Sequence, residues 1–148
     1  MTPDQFTKYI AHLNINIKKA INRDLPRIAG NEAARLFRQN FQKEGFFGAK
    51  WQEVNRRKKP GKGADRSRKI LTGRTGDLGR SIKVKTEPGK AVIYSDLKYS
   101  LAHNEGTSNA GRGNKTKIPQ RRFIGNSPVI EQAVKAKIEE TMKKLFNS

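Results

Sequence analysis

Cysteine is absent from the chain. Disulfides, thiolate metal sites and cysteine nucleophiles are therefore excluded, and the composition fits a reducing compartment. Histidine occurs twice and tryptophan once, too few for a metal centre built on several imidazoles. No run approaches the roughly 18 apolar residues that a membrane span needs. The first ten residues, MTPDQFTKYI, lack the basic and then apolar order of a secretory signal. Hydrophobic residues make up 34% of the chain, low for a packed domain. At 148 residues one domain with a modest core is expected, covering 1–148, with other parts ordered only by partners.

Acid is scarce as well. Thirteen acidic residues face 32 basic ones, a net charge of +19. That field favours anionic partners such as nucleic acid, a membrane surface or acidic protein faces, without choosing among them.

The residues that are present read as an α+β domain. A small antiparallel sheet is expected to pack against N-terminal and C-terminal helices, with long basic loops between. Thr2, Pro3 and Gln5 have the order of an N-cap, an N1 proline and a capping-box partner. The first helix then fills residues 1–25, with Phe6, Tyr9, Ile10, Leu13, Ile17 and Ile21 at helical spacing. That stripe should bury against the domain's own sheet or against a neighbouring subunit, and core packing is the simpler expectation. Pro26 is expected to open a second helix over 26–45, with Ile28, Ala33, Leu36, Phe37 and Phe41 on its apolar face. Gly45 is its expected stop, and Gly30-Asn31 a place where it could restart.

The aromatic cluster Phe46, Phe47 and Trp51 suits a hydrophobic plug or interface better than a platform for stacked bases, because its glycines suggest a turn. Residues 56–74 read as an exposed, flexible basic arm. It carries Arg56, Arg57, Lys58, Lys59, Lys62, Arg66, Arg68, Lys69 and Arg74 against Asp65 alone. The plain alternative is a solvated charge run. Residues 80–126 should hold sheet and loop. Ile82 and Val84 alternate with polar residues, Glu87-Pro88-Gly89-Lys90 fits a type II turn, and Ala91–Tyr94 returns as the second strand. A helical turn is expected to end at Gly106, a mobile loop to fill 106–116, and an edge strand to cover Ile118–Gly125. Ser127-Pro128 opens the last helix, 127–146, with its stripe at Val129, Ile130, Ala133, Val134, Ile138, Met142 and Leu145.

Enzyme signals are poor. His12 falls off the apolar stripe of the first helix. His103 stands beside Asn104 and Glu105, and one histidine there makes a weak nuclease base. Gly106–Gly111 has the spacing of a phosphate loop, but Arg112 and Gly113 stand where Lys and a hydroxyl belong. The glycines of 72–81 precede a strand instead of opening a helix after one, so the dinucleotide context fails. No carboxylate pair suits a glycosidase. No cofactor or metal is expected. Arg112, Lys115, Lys117, Arg121 and Arg122 could join the arm on phosphates, which leaves non-specific nucleic-acid contact open.

Four segments occur in a telling order: GAKWQEV (48–54), ILTGRTGDLGRSIKV (70–84), YSLAHNEGT (99–107) and IPQRRFIGNS (118–127). Together they resemble the bacteriophage virion-morphogenesis family, the Mu-like tail-completion proteins of the head–tail junction. That family has Gly-x-x-Trp, then Leu-x-x-Thr-Gly-x-Leu-x-x-Ser-Ile, then Tyr-Ala-x-x-His-x-x-Gly, then Pro-x-Arg-x-Phe-Ile-Gly. Here Thr75-Gly76-Asp77-Leu78 aligns with Ser81-Ile82. Ser100 stands in place of the usual alanine, and the basic arm is denser than usual. The resemblance implies a structural protein without catalysis, assembled in the bacterial host cytoplasm and residing in the tail or neck of the virion. Its partners would be other tail or head–tail connector proteins and copies of itself in a ring, with DNA contact possible in the channel. Trp51, Arg74, Arg80, His103, Arg121, Arg122 and Phe123 are the candidate partner-binding residues. The arginines of KIPQRRFIG would then reach a partner or the domain's own carboxylates, unless they merely pair with surface acids. The other class of function is a basic nucleic-acid binder acting outside any particle.

Overall fold

The computed structural model describes residues 1–58 and 67–147. Lys59, Lys62 and Arg66 of the basic arm lie outside them. The elements are α1 (Pro3–Lys19), α2 (Leu25–Lys43), β1 (Gly45–Phe46), β2 (Ala49–Lys50), α3 (Asn55–Lys58), α4 (Asp77–Arg80), β3 (Ile82–Glu87), β4 (Lys90–Ser95), α5 (Ser100–Glu105), β5 (Thr107–Ala110), β6 (Thr116–Ile118) and α6 (Pro128–Phe146). The α+β class holds, with two differences in detail. Among the described residues the strands form three separate two-stranded antiparallel ladders, and no α1 residue is buried.

The capping box at Thr2 is present: the Gln5 N–H donates to Thr2 Oγ1 at 3.2 Å, and the Thr2 N–H donates to Gln5 Oε1 at 2.9 Å. α2 begins where Pro26 was expected to open it, with the proline in its first turn, but no break separates it from α1. A π-helical turn at Ala20–Asp24 joins them into one continuous rod, with the Leu25 N–H donating to the Ala20 carbonyl. Pro26 supplies the reason. Its ring crowds the carbonyl four residues back, and a wider turn makes room without ending the helix. The rod ends at Glu44, which takes the left-handed conformation (φ 52°) expected of Gly45.

α2 is the central element. Ala33, Ala34, Phe37 and Phe41 bury against Trp51, Ile70, Leu78, Ile82 and Phe123. Gly30 does not restart the helix. A Cβ there would stand 2.5 Å from Val84 Cγ1 and 3.0 Å from Ala91 Cβ, so the glycine lets α2 lie directly on the β3–β4 ladder. That ladder matches expectation, pairing Ile82 with Ser95 and Glu87 with Lys90 around Pro88-Gly89. α6 lies along α2 and starts at Ser127, whose Oγ accepts from the Val129 N–H at 3.2 Å.

Three expectations fail. The α1 stripe is not in the core; α1 buries no residue, and Phe6, Tyr9, Ile10 and Ile21 are exposed. The 106–116 segment is not a loop, since β5 and β6 pair across it. Strand geometry ends at Ile118, so Gln120–Gly125 is not a strand.

Candidate functional site

The segment Arg121–Ile124 has no ladder partner, so its backbone groups must be satisfied in another way. Side chains do it. Asn104 Oδ1 accepts from the N–H groups of Phe123 (2.9 Å) and Ile124 (3.0 Å), and its Nδ2 donates to the Ile124 carbonyl at 3.1 Å. Asn40, buried on α2, donates Nδ2 to the Phe123 carbonyl at 3.3 Å and accepts from the Phe47 N–H at 3.2 Å. Trp51 Nε1 donates to the Arg122 carbonyl at 2.7 Å. The Arg121 N–H donates to the His103 carbonyl at 2.8 Å. Gly106 lets α5 close on this segment, because a Cβ there would sit 2.8 Å from the Gln120 nitrogen at a φ of 75°. Phe123 completes the knot beneath, with its ring centroid 5.2 Å from that of Phe41.

The four segments that carry the resemblance therefore meet in one place. Trp51 and Phe123 are core side chains. Arg121 is also buried, 8% exposed. It donates Nε to the Gln52 carbonyl at 2.9 Å and Nη2 more weakly to that of Glu53 at 3.5 Å. Burial pushes its pKa down, and the nearby Arg56 charge adds to this. His103 is half-buried, and its Nδ1 has no partner. Burial lowers its pKa first, then the Arg121 charge. Both residues line a cavity of about 440 Å³ together with Arg56, Thr72, Thr75 and Tyr99. Arg68 and Asp77 line it too, and Asp77 is paired with Arg80. Among the described residues, no group of three or more His, Asp or Glu could hold a metal ion.

The remaining candidate residues spread out. Arg122 is exposed, its guanidinium 5.9 Å from the Phe46 ring centroid. Arg74 and Arg80 are exposed on the turn and on α4. The described part of the basic arm is more anchored than its composition suggests. Arg57 forms a two-pronged ion pair with Glu44, with Nη1 2.9 Å from Oε2. Both Arg56 and Arg57 donate to the Arg68 carbonyl, at 2.6 and 2.9 Å. The Glu44 carboxyl is held below its ordinary range, first by Arg57. Lys69 Nζ reaches the Gln42 carbonyl at 2.8 Å, while Lys58 is exposed. This arm is pinned at both described ends and is not a wholly solvated run.

Sequence reasoning missed Asn40 and Asn104. The only signal was a polar residue inside the apolar stripe of α2, between Phe37 and Phe41, and an asparagine beside His103. No curated protein and no solved structure gives a significant match to the chain. The profile of the phage virion morphogenesis family matches residues 6–143, which takes in all four converging segments. The chain belongs to the phage virion morphogenesis family, which gives it a structural or assembly part in the building of a phage particle.

Proposed function

We propose that the protein is a tail-completion or head–tail joining adaptor, a ring subunit in the tail or neck of the virion, without catalytic activity. The observation that carries this reading is α1. A family member has a folded core sealed around its motif segments, yet it holds out a capped helix on whose apolar face Phe6, Tyr9 and Ile10 are exposed and Leu13 and Ile17 only half-buried among the described residues. Exposed apolar faces of this kind mark interaction surfaces. The candidate partner-binding residues left at the surface are Arg74, Arg80 and Arg122. Assembly takes place in the host cytoplasm, with tail or connector proteins as neighbours.

Electron microscopy of particles from the source phage lacking this gene tests the reading. Filled heads beside separate tails are expected. Intact, infectious virions would overturn it.

One observation favours a second activity. The β5–β6 hairpin carries exposed Arg112 and Lys115 between its strands and exposed Lys117 on β6, a basic finger suited to non-specific contact with DNA. Its test is the salt dependence of DNA affinity, whose log–log slope should be roughly 0.9 per phosphate neutralised. A flat response would remove it.

A further inference from the structure

The apolar face of α1, with Phe6, Tyr9 and Ile10 exposed and Leu13 and Ile17 half-buried, has a counterpart on the same chain. Leu25 and Ala29 of α2, Ala91 and Ile93 of β4, and Ile130 and Ile138 of α6 line an open apolar groove of about 420 Å³. No described element of the chain fills it. α1 cannot turn back into it, because the π turn continues α1 directly into α2. The Gly89 N–H also donates to the Ile21 carbonyl at 3.3 Å and fixes that junction to the β3–β4 turn. At 1.5 Å per residue, Phe6 stands about 22 Å along the rod from Ile21.

We infer that α1 of one copy seats its apolar stripe in the α2–β4–α6 groove of the next copy. The inference rests on the ring reading and names the contact that would build the ring. Three observations favour a second copy as the occupant. The first is shape. Phe6, Ile10, Leu13 and Ile17 recur at the spacing by which an amphipathic helix anchors in an apolar groove. The second is charge. A protein of net charge +19 repels its own copies, so contact between copies is easiest where that charge is absent. Residues 3–17 carry one acid, Asp4, and one base, Lys8. The one charged side chain among the described groove residues, Lys90, is paired with Glu87 at 2.9 Å. The third is continuity. Ile21 ends the stripe and also lines the groove, so one apolar strip runs from helix to groove. A contact between two different surfaces of one chain is head-to-tail, and head-to-tail contacts close into rings when the rotation permits.

The absence of cysteine makes a direct test available. Ile10→Cys and Ile138→Cys are introduced into separate full-length chains, which are mixed and oxidised. A disulfide-linked pair containing one of each is expected, with far less of either homodimer. In the double variant I10C/I138C, cross-linking should build a ladder that stops at one closed size. A second set uses Phe6→Asp with Ile10→Asp, and Ile138→Asp, each checked for a native circular dichroism spectrum. Each should weaken self-association about 100-fold or more in sedimentation. Mixing the two should restore a pair of chains, because one intact helix then meets one intact groove. Monomeric wild type at high concentration would overturn the inference. So would helix-to-helix cross-links only, or failure of the mixture to pair. A ladder that ends at two chains would overturn the ring reading and leave the helix-in-groove contact standing.

Discussion

Two phenylalanines of this chain have opposite surroundings. Phe123 is 1% exposed, ringed by Phe41, and its backbone groups are taken up by two asparagines. Phe6 is 55% exposed on a helix with no buried residue. Phe6 sits in a stripe that reads as core, and Phe123 reads as a candidate partner-binding residue, so the structure reverses both. One belongs to a knot whose backbone groups find side-chain partners at hydrogen-bonding distance. The other belongs to a face on which no described residue of α1 is buried. The stability of the molecule is therefore expected to reside in α2 and the Arg121–Ile124 knot. What α1 contributes must be gained in assembly.

Four predictions sharpen or break this contrast, in descending order of effect. Phe123→Ala should cost about 3–5 kcal/mol, as for other buried aromatics, read as a fall in the urea midpoint. Asn104→Ala leaves two N–H groups and a carbonyl without partners, and should cost about 2–3 kcal/mol. A loss below about 0.5 kcal/mol for either would show that the knot is not where stability resides. Gly30→Ala reverses the usual sign. An exposed helical glycine gains about 1 kcal/mol when changed to alanine, whereas here the added methyl meets Val84 and Ala91 and should cost about 1–3 kcal/mol. Smallest of all, Phe6→Ser should move the stability of the isolated chain by less than about 0.5 kcal/mol. A loss of several kcal/mol would mean that α1 is covered within the monomer after all.

The knot also has a pH signature. Burial and the Arg121 charge lower the folded pKa of His103. The stability this provides is present above the ordinary imidazole pKa, about 6.5, and is lost as pH falls below it. Thermal melts from pH 7.5 to 5.5 should therefore decline in the wild type and decline less in His103→Gln. Equal slopes would place His103 in a solvated setting.

Local signals were legible in the sequence, and distant ones were not. The Thr2–Gln5 box, the Ser127-Pro128 start and the Pro88-Gly89 turn each span a few residues, and each stands where it was expected. The 118–125 segment reads as a strand because apolar and polar residues mix at short period. Its partners, Asn40 and Asn104, lie 83 and 19 residues from Phe123 in sequence, and nothing in the segment announces them. The basic arm reads as solvated because the carboxylate that anchors Arg57 is Glu44, 13 residues away on the end of α2. Periodicity on α1 shows that a face needs covering; it carries no information on whether the cover lies in the same chain. For the candidate residues, the motif order was readable, but their split between buried Trp51, Arg121 and Phe123 and exposed Arg74, Arg80 and Arg122 required three dimensions.

The most direct test of the contrast is electron microscopy of phage whose only copy of this gene carries Phe6→Asp and Ile10→Asp, with the variant protein shown to be folded. Filled heads accompanied by unjoined tails are the expected result, because the knot stays intact while the assembly face is lost. Normal virions in wild-type number would contradict the account, since α1 would then have no part in building the particle.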